Sequence, residues 1–146
     1  GRSPAEVLGE LGPDLGTVLA GEVGDEPSPI PAHTYARALT EAVPAVRRGF
    51  ERALAGVDLL LTPATPAPAA TLAERVEMQL NGHVVDTFAT YIRYTFCVSI
   101  AGLPALSIPG GRSADGLPIG VQLVGPAWGE PLLIRAGHAF ERLTTP

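Results

Sequence analysis

The chain has 146 residues, 46% of them hydrophobic and 17% charged, with a formal net charge of −5. That length and apolar fraction suit one folded domain with a real core and exclude a disordered tail. The acidic balance, spread without a run of like charge, argues against a nucleic-acid surface, which needs a basic stripe to displace counterions.

Ser3-Pro4-Ala5-Glu6 has the form of a capping box with proline at the first helical position, and Gly9 and Gly12-Pro13 interrupt the short helical segment after it. Residues 21–31, rich in proline and glycine, read as an irregular linker. Tyr35, Leu39, Val43, Val46, Phe50 and Leu54 recur at spacings of four and three and form one helical stripe. Pro44 should kink or divide that helix. Val57–Leu61 is a short apolar run of strand type, and the prolines of Thr62–Pro68 end it in a loop. Val76, Met78 and Leu80 alternate with Glu77 and Gln79; Asn81-Gly82 supplies a hairpin turn and Val84-Val85 the return. Asp86 is placed to cap a helix running to about Ile100, stopped by Gly102 and Pro104. Ala105–Ile108 and Ile119–Val124 are two further strands around a Gly-rich loop at 110–116. A last helix, Glu130–Leu143, carries Leu133, Ala136 and Phe140 on one face. Strands with intervening helices predict α/β layering, a β-sheet core covered by helices.

Candidate chemistry is sparse. Gly111-Arg112-Ser113-Ala114-Asp115 approaches a Gly-x-Ser-x-Gly nucleophile elbow, but Asp115 replaces the last glycine, and a solvated turn is the better reading. Ser107 reads as a core hydroxyl bonded to backbone. Cys97, the only cysteine, permits no internal disulfide and reads as helix packing, with a reducing compartment implied. His33, His83 and His138 lie about fifty residues apart, so no metal site is expected. No phosphate-binding glycine loop occurs, and no cofactor is expected. Asp25-Glu26 sit in the linker as solvated charges. Trp128 reads as an aromatic anchor at a loop-to-helix junction. No apolar run reaches membrane-spanning length and no signal peptide is evident, so the expected setting is cytoplasmic, with neither membrane nor nucleic acid as partner. Gly1 in place of Met suits a fragment or processed piece.

Four stretches together resemble the amidase signature family, whose members hydrolyse carboxamides with a Ser–Ser–Lys triad. They are Asp58-Leu59-Leu60-Leu61-Thr62-Pro63-Ala64-Thr65-Pro66; Thr95 to Pro109, which includes Gly-Leu-Pro-Ala-Leu-Ser; Gly116-Leu117-Pro118-Ile119-Gly120-Val121-Gln122-Leu123-Val124-Gly125; and Glu130 to Glu141. The resemblance implies that residues 1–146 are the C-terminal part of the amidase signature fold, a mixed β-sheet core covered by helices, and about its last third. It also implies that the triad lies upstream, because all ten basic residues here are arginine and none is lysine. The part would then be inactive alone, supplying core packing and one wall of the pocket for a small-molecule amide.

On a helix from Asp86 to Ile100, Tyr91, Thr95, Val98 and Ser99 share a face at i, i+4, i+7 and i+8. The resemblance places the acyl pocket near Thr95 and Val98. Packing on the sheet is the competing reading for both, and the preferred one for Tyr91. Family members often carry Asn at Ser99, Pro at Cys97 and Cys at Gly110. The subunit that hydrolyses glutamine for tRNA-dependent amidation typically has Asp at Ile92, which favours a general amidase here. A non-catalytic scaffold of the same fold and that amidotransferase subunit remain the alternatives. Val57–Leu61, Ala105–Ile108 and Ile119–Val124 would normally sit in a sheet continued by the absent portion, and the open edge this leaves invites association, including a homodimer.

Overall fold

A computed structural model describes residues 30–144. The expected capping box at Ser3 and nearly all of the 21–31 linker lie outside the described residues. Helix α1 (Ala32–Arg37) and helix α2 (Val43–Leu54) are joined by a π-helical turn at Ala38–Ala42. Pro44 explains the turn. It brings no N–H to the Thr40 carbonyl and its ring crowds that level of the helix, so the backbone widens and the Val43 N–H reaches back to the Ala38 carbonyl. Of the expected stripe only the later part is buried. Val46 and Phe50 are in the core, while Tyr35 and Leu39 are 60% and 51% exposed.

The strand expected at Val57–Leu61 lies three residues further on, as β1 (Leu60–Pro63). Val57 still belongs to the helix-terminating turn, its N–H bonded to the Leu54 carbonyl after Gly56 at φ +85°. A 3₁₀ turn at Leu72–Glu74 leads into the hairpin of β2 (Glu77–Leu80) and β3 (His83–Asp86). Asn81 and Gly82, both at positive φ, make the tight turn the sequence announces. Helix α3 (Thr87–Ala101) begins where Asp86 accepts the Ala89 N–H at 2.6 Å. It ends at Gly102 in the left-handed region, with the Leu103 N–H on the Val98 carbonyl. Arg47 of α2 donates to the Ala101 carbonyl at 3.2 Å, placing a cation at the negative end of α3.

Strands β4 (Ala105–Arg112) and β5 (Pro118–Val124) form a hairpin longer than the sequence suggests, with a bulge at Gly110, and helix α4 (Glu130–Thr144) closes the chain. The bulge needs glycine, because a Cβ at position 110 would lie 2.7 Å from Val121 Cγ1. The sheet order is β1-β5-β4, antiparallel throughout. Alternation gives the sheet two faces. Val124 and Leu60 turn to a core formed with Val46, Phe50, Cys97, Val98 and Ala101 from α2 and α3. Leu106 and Ile108 turn the other way, to α4, where a Cβ on Gly137 would lie 2.5 Å from Leu106 Cδ2. The result is a helix–sheet–helix sandwich, the α/β layering expected.

Two residues differ from expectation. Ser107 is exposed, not buried, because β4 is the outer strand of the described sheet; its register partner Gln122, on the same face of the central strand, is buried. Trp128 is 90% exposed and anchors nothing; it stands at φ +63° in the turn between β5 and α4.

Candidate functional site

The first half of α3 and the β1 end of the sheet meet through the proline-rich segment that follows β1. The Tyr91 hydroxyl donates to the Pro68 carbonyl, and Thr65 Oγ1 donates to the Ala67 carbonyl at 2.8 Å, so the segment is tied both to itself and to α3. Inside, a polar row crosses the sheet: Thr62, Gln122 and Ser107 are register partners on β1, β5 and β4. Gln122 is only 5% exposed and its Nε2 donates to Thr62 Oγ1 at 3.3 Å. Position 120, next along that face, is tightly enclosed: a Cβ there would lie 3.1 Å from that of Ala64.

The residues named from the helix face divide into groups. Thr95 and Ser99 are exposed, and their hydroxyls turn back onto α3, to the Ile92 and Thr95 carbonyls, both at 3.2 Å. Tyr91 is half-buried and works as the tether just described. Val98 is 4% exposed and belongs to the core cluster with Val46 and Val124. The spacing is helical as expected, but the face spans the boundary between solvent and core.

Of the potential nucleophiles, Cys97 is buried and its Sγ lies 2.9 Å from the Arg93 carbonyl. Burial pushes the thiol up from its ordinary value, outweighing the hydrogen bond and Arg93, so the reactive thiolate is disfavoured. Ser113 is held in the β4–β5 turn, with Oγ accepting the Leu117 N–H at 3.1 Å and its own N–H on the Leu117 carbonyl at 2.8 Å. The turn joins two strands of a hairpin and is no strand-to-helix elbow. Among the described residues no group of His, Cys, Asp and Glu could hold a metal ion, and no helix is long and apolar enough to cross a membrane. Sequence reasoning missed the Thr62–Gln122 link. Its signal was a lone amide in the apolar strand 119–124.

The Amidase family model matches residues 24–134, and the chain belongs to that family. Among curated relatives, the A subunit of glutamyl-tRNA(Gln) amidotransferase from Synechococcus sp. (strain CC9311) is 39% identical over 110 residues, 74% of this chain and 21% of that protein. The corresponding A subunit from Geobacter sp. (strain M21) is 42% identical over 99 residues, 68% of this chain and 19% of that protein. The chain thus spans about a fifth of the length of these relatives. A solved amidase is 30% identical with a TM-score of 0.71, covering 77% of this chain and 25% of its own. A protein from a study of an s-triazine catabolic enzyme is 26% identical with a TM-score of 0.70, covering 97% of this chain and 31% of its own.

Proposed function

We propose that the chain is the C-terminal portion of an amidase that hydrolyses a carboxamide C–N bond to a carboxylate and ammonia or an amine. It contributes core packing and a pocket wall around Tyr91, Thr95, Val98 and Ser99, and it is inactive alone. The reading rests on one conjunction: a family match over residues 24–134 in a sequence whose basic residues are all arginine. In the family this sequence resembles, a lysine relays the proton that activates the nucleophilic serine, and that step has no donor here. The remaining machinery then belongs to the longer part of an amidase-length protein, working on a small-molecule amide in a cytoplasmic setting.

A specific observation favours a second reading. The two curated relatives are both, by name, A subunits of a glutamyl-tRNA(Gln) amidotransferase. Against it stands Ile92, half-buried on α3, at the position where that subunit typically carries an aspartate. One experiment separates the readings. This chain is spliced in place of the matching segment of the Synechococcus relative, and hydrolysis of glutamine is compared with hydrolysis of simple aryl and alkyl amides. A general amidase predicts retained turnover of simple amides with glutamine disfavoured; preferred glutamine hydrolysis supports the amidotransferase reading. A spliced protein that folds and turns over neither overturns both. The chain by itself should hydrolyse no amide, and serine-reagent-sensitive turnover by the purified chain would refute that.

A further inference from the structure

Two side chains of α3 hold one loop. Thr87 and Tyr91 stand four residues apart, so about 6 Å apart along the helix and on nearly the same face. Thr87 Oγ1 donates to the Glu74 carbonyl at 2.6 Å, and the Tyr91 hydroxyl donates to the Pro68 carbonyl. The loop from Pro68 to Glu74 therefore runs antiparallel to α3 and is clasped at two levels. The Thr87 N–H secures its later end further, on the Val76 carbonyl at 2.9 Å. Thr95 is the next residue along that line of the helix, one turn beyond Tyr91.

Upstream of Pro68 the chain leaves the helix for the sheet. The Ala64 N–H bonds the Gly120 carbonyl at 3.0 Å, and the Ala64 methyl lies close over position 120, where a Cβ would come within 3.1 Å of it. Residues 64–68 thus bridge β5 and α3. The bridge is stiff. Pro66 and Pro68 fix their own φ angles and restrict Thr65 and Ala67 before them. Thr65 Oγ1 closes on the Ala67 carbonyl at 2.8 Å, and no glycine occurs from Val57 to Asn81. In a stiff strut anchored on the sheet, one hydrogen bond at the far end sets the position of the whole piece.

On the amidase reading proposed above, we infer that Tyr91 is a positioning residue for substrate. Its hydroxyl holds the 64–68 strut against α3 one turn before Thr95, and the strut, not the Tyr91 ring, meets the acyl group of the amide. Without the hydroxyl the strut is loose at the helix, and substrate must order it on binding. That cost falls on binding and not on the chemical step, so KM rises while kcat is kept. Thr65 belongs to the same unit, because loosening the strut from within has the effect of releasing its end. Thr87 differs: it is buried at the start of α3 and ties the loop to the β2–β3 hairpin, which is a matter of stability.

The test uses the spliced enzyme, with circular dichroism establishing that each variant is folded. Tyr91→Phe keeps the ring and removes the bond. It should raise KM for simple amides about threefold to tenfold, the worth of one hydrogen bond, with kcat held within about twofold. Elastase, which cuts after small residues such as Ala69 and Ala70, should cleave the loop faster by a similar factor, since cleavage follows the open population. Thr65→Val should also raise KM, and the double variant should fall short of the product of the two effects, because a strut already loose has little more to lose. A purely structural tether predicts a lower Tm with KM unmoved. Unchanged KM in an active Tyr91→Phe enzyme, unchanged cleavage, or effects of the two variants that multiply in full would each overturn the proposal. A folded spliced enzyme that hydrolyses no amide is a different failure: it overturns the amidase reading and the substrate role with it, while the cleavage comparison still reads the clasp.

Discussion

Val98 and Thr95 stand one helical turn apart and have opposite surroundings, which makes them the sharpest test of the pocket wall. Val98 is packed on Val46 and Val124, so Val98→Phe should cost about 1–3 kcal/mol of stability in a urea titration. Thr95→Val, on the exposed side, should leave stability within about 0.5 kcal/mol. If Thr95 lines the pocket, that same change made in the spliced enzyme shifts kcat/KM between short and long acyl groups; a uniform ratio across acyl sizes assigns it to the surface alone. A third residue carries a pH signature. Glu74 accepts from both the N–H and the hydroxyl of Thr71, at 3.1 and 2.8 Å, and those bonds lower its pKa. A carboxylate depressed in the folded state stabilises above its unfolded pKa and loses that contribution as pH falls through the folded value. Stability of the wild type relative to Glu74→Gln should therefore be greatest near neutrality and shrink below the ordinary glutamate range. An offset independent of pH would remove the carboxylate from the account.

At the scale of elements, what could be read in the sequence followed backbone chemistry. Asn81-Gly82, Asp86 and Gly102 each impose a local conformation, and the hairpin, the start of α3 and its end fall where those residues put them. Boundaries set by tertiary pairing were not legible: β1 was displaced toward Pro63 because β5 chooses its register, and β4 ran past Ile108 because a bulge absorbs Gly110. The π turn before Pro44 was announced only as a kink. Gly137 escaped notice altogether, since a glycine inside a helical pattern gives no hint of the strand it must approach. Gly137→Ala should turn the Leu106 Cδ2 methyl aside, and with the gain in helix propensity set against that repacking its net effect on thermal or urea unfolding should stay within about 1 kcal/mol. Asp86→Ala should cost about 1 kcal/mol through the lost cap.

For the whole molecule, the layering and the family were legible because amidase-like segments recur in order along the chain. The candidate site was less so: helical spacing grouped Tyr91, Thr95, Val98 and Ser99 but could not say which of them the sheet would bury. Leu72, Val76, Val84 and Phe88, all more than half exposed, fall within one stretch running from the 3₁₀ turn through the β2–β3 hairpin to the start of α3. A hydrophobic dye should bind the purified chain. An absence of dye binding at every protein concentration would overturn this.

The turn that holds Trp128 has a consequence for anyone who studies this chain in solution. It is the only tryptophan, and it already projects into water in the folded state, held at positive φ ahead of Gly129. Its emission should therefore resemble that of a free indole and change little when the core melts. The chain would look unfolded to a fluorimeter while its backbone signal reported otherwise. That same silence makes it a built-in optical probe: a blue shift of its emission would mark the moment another surface closes over the junction of β5 and α4.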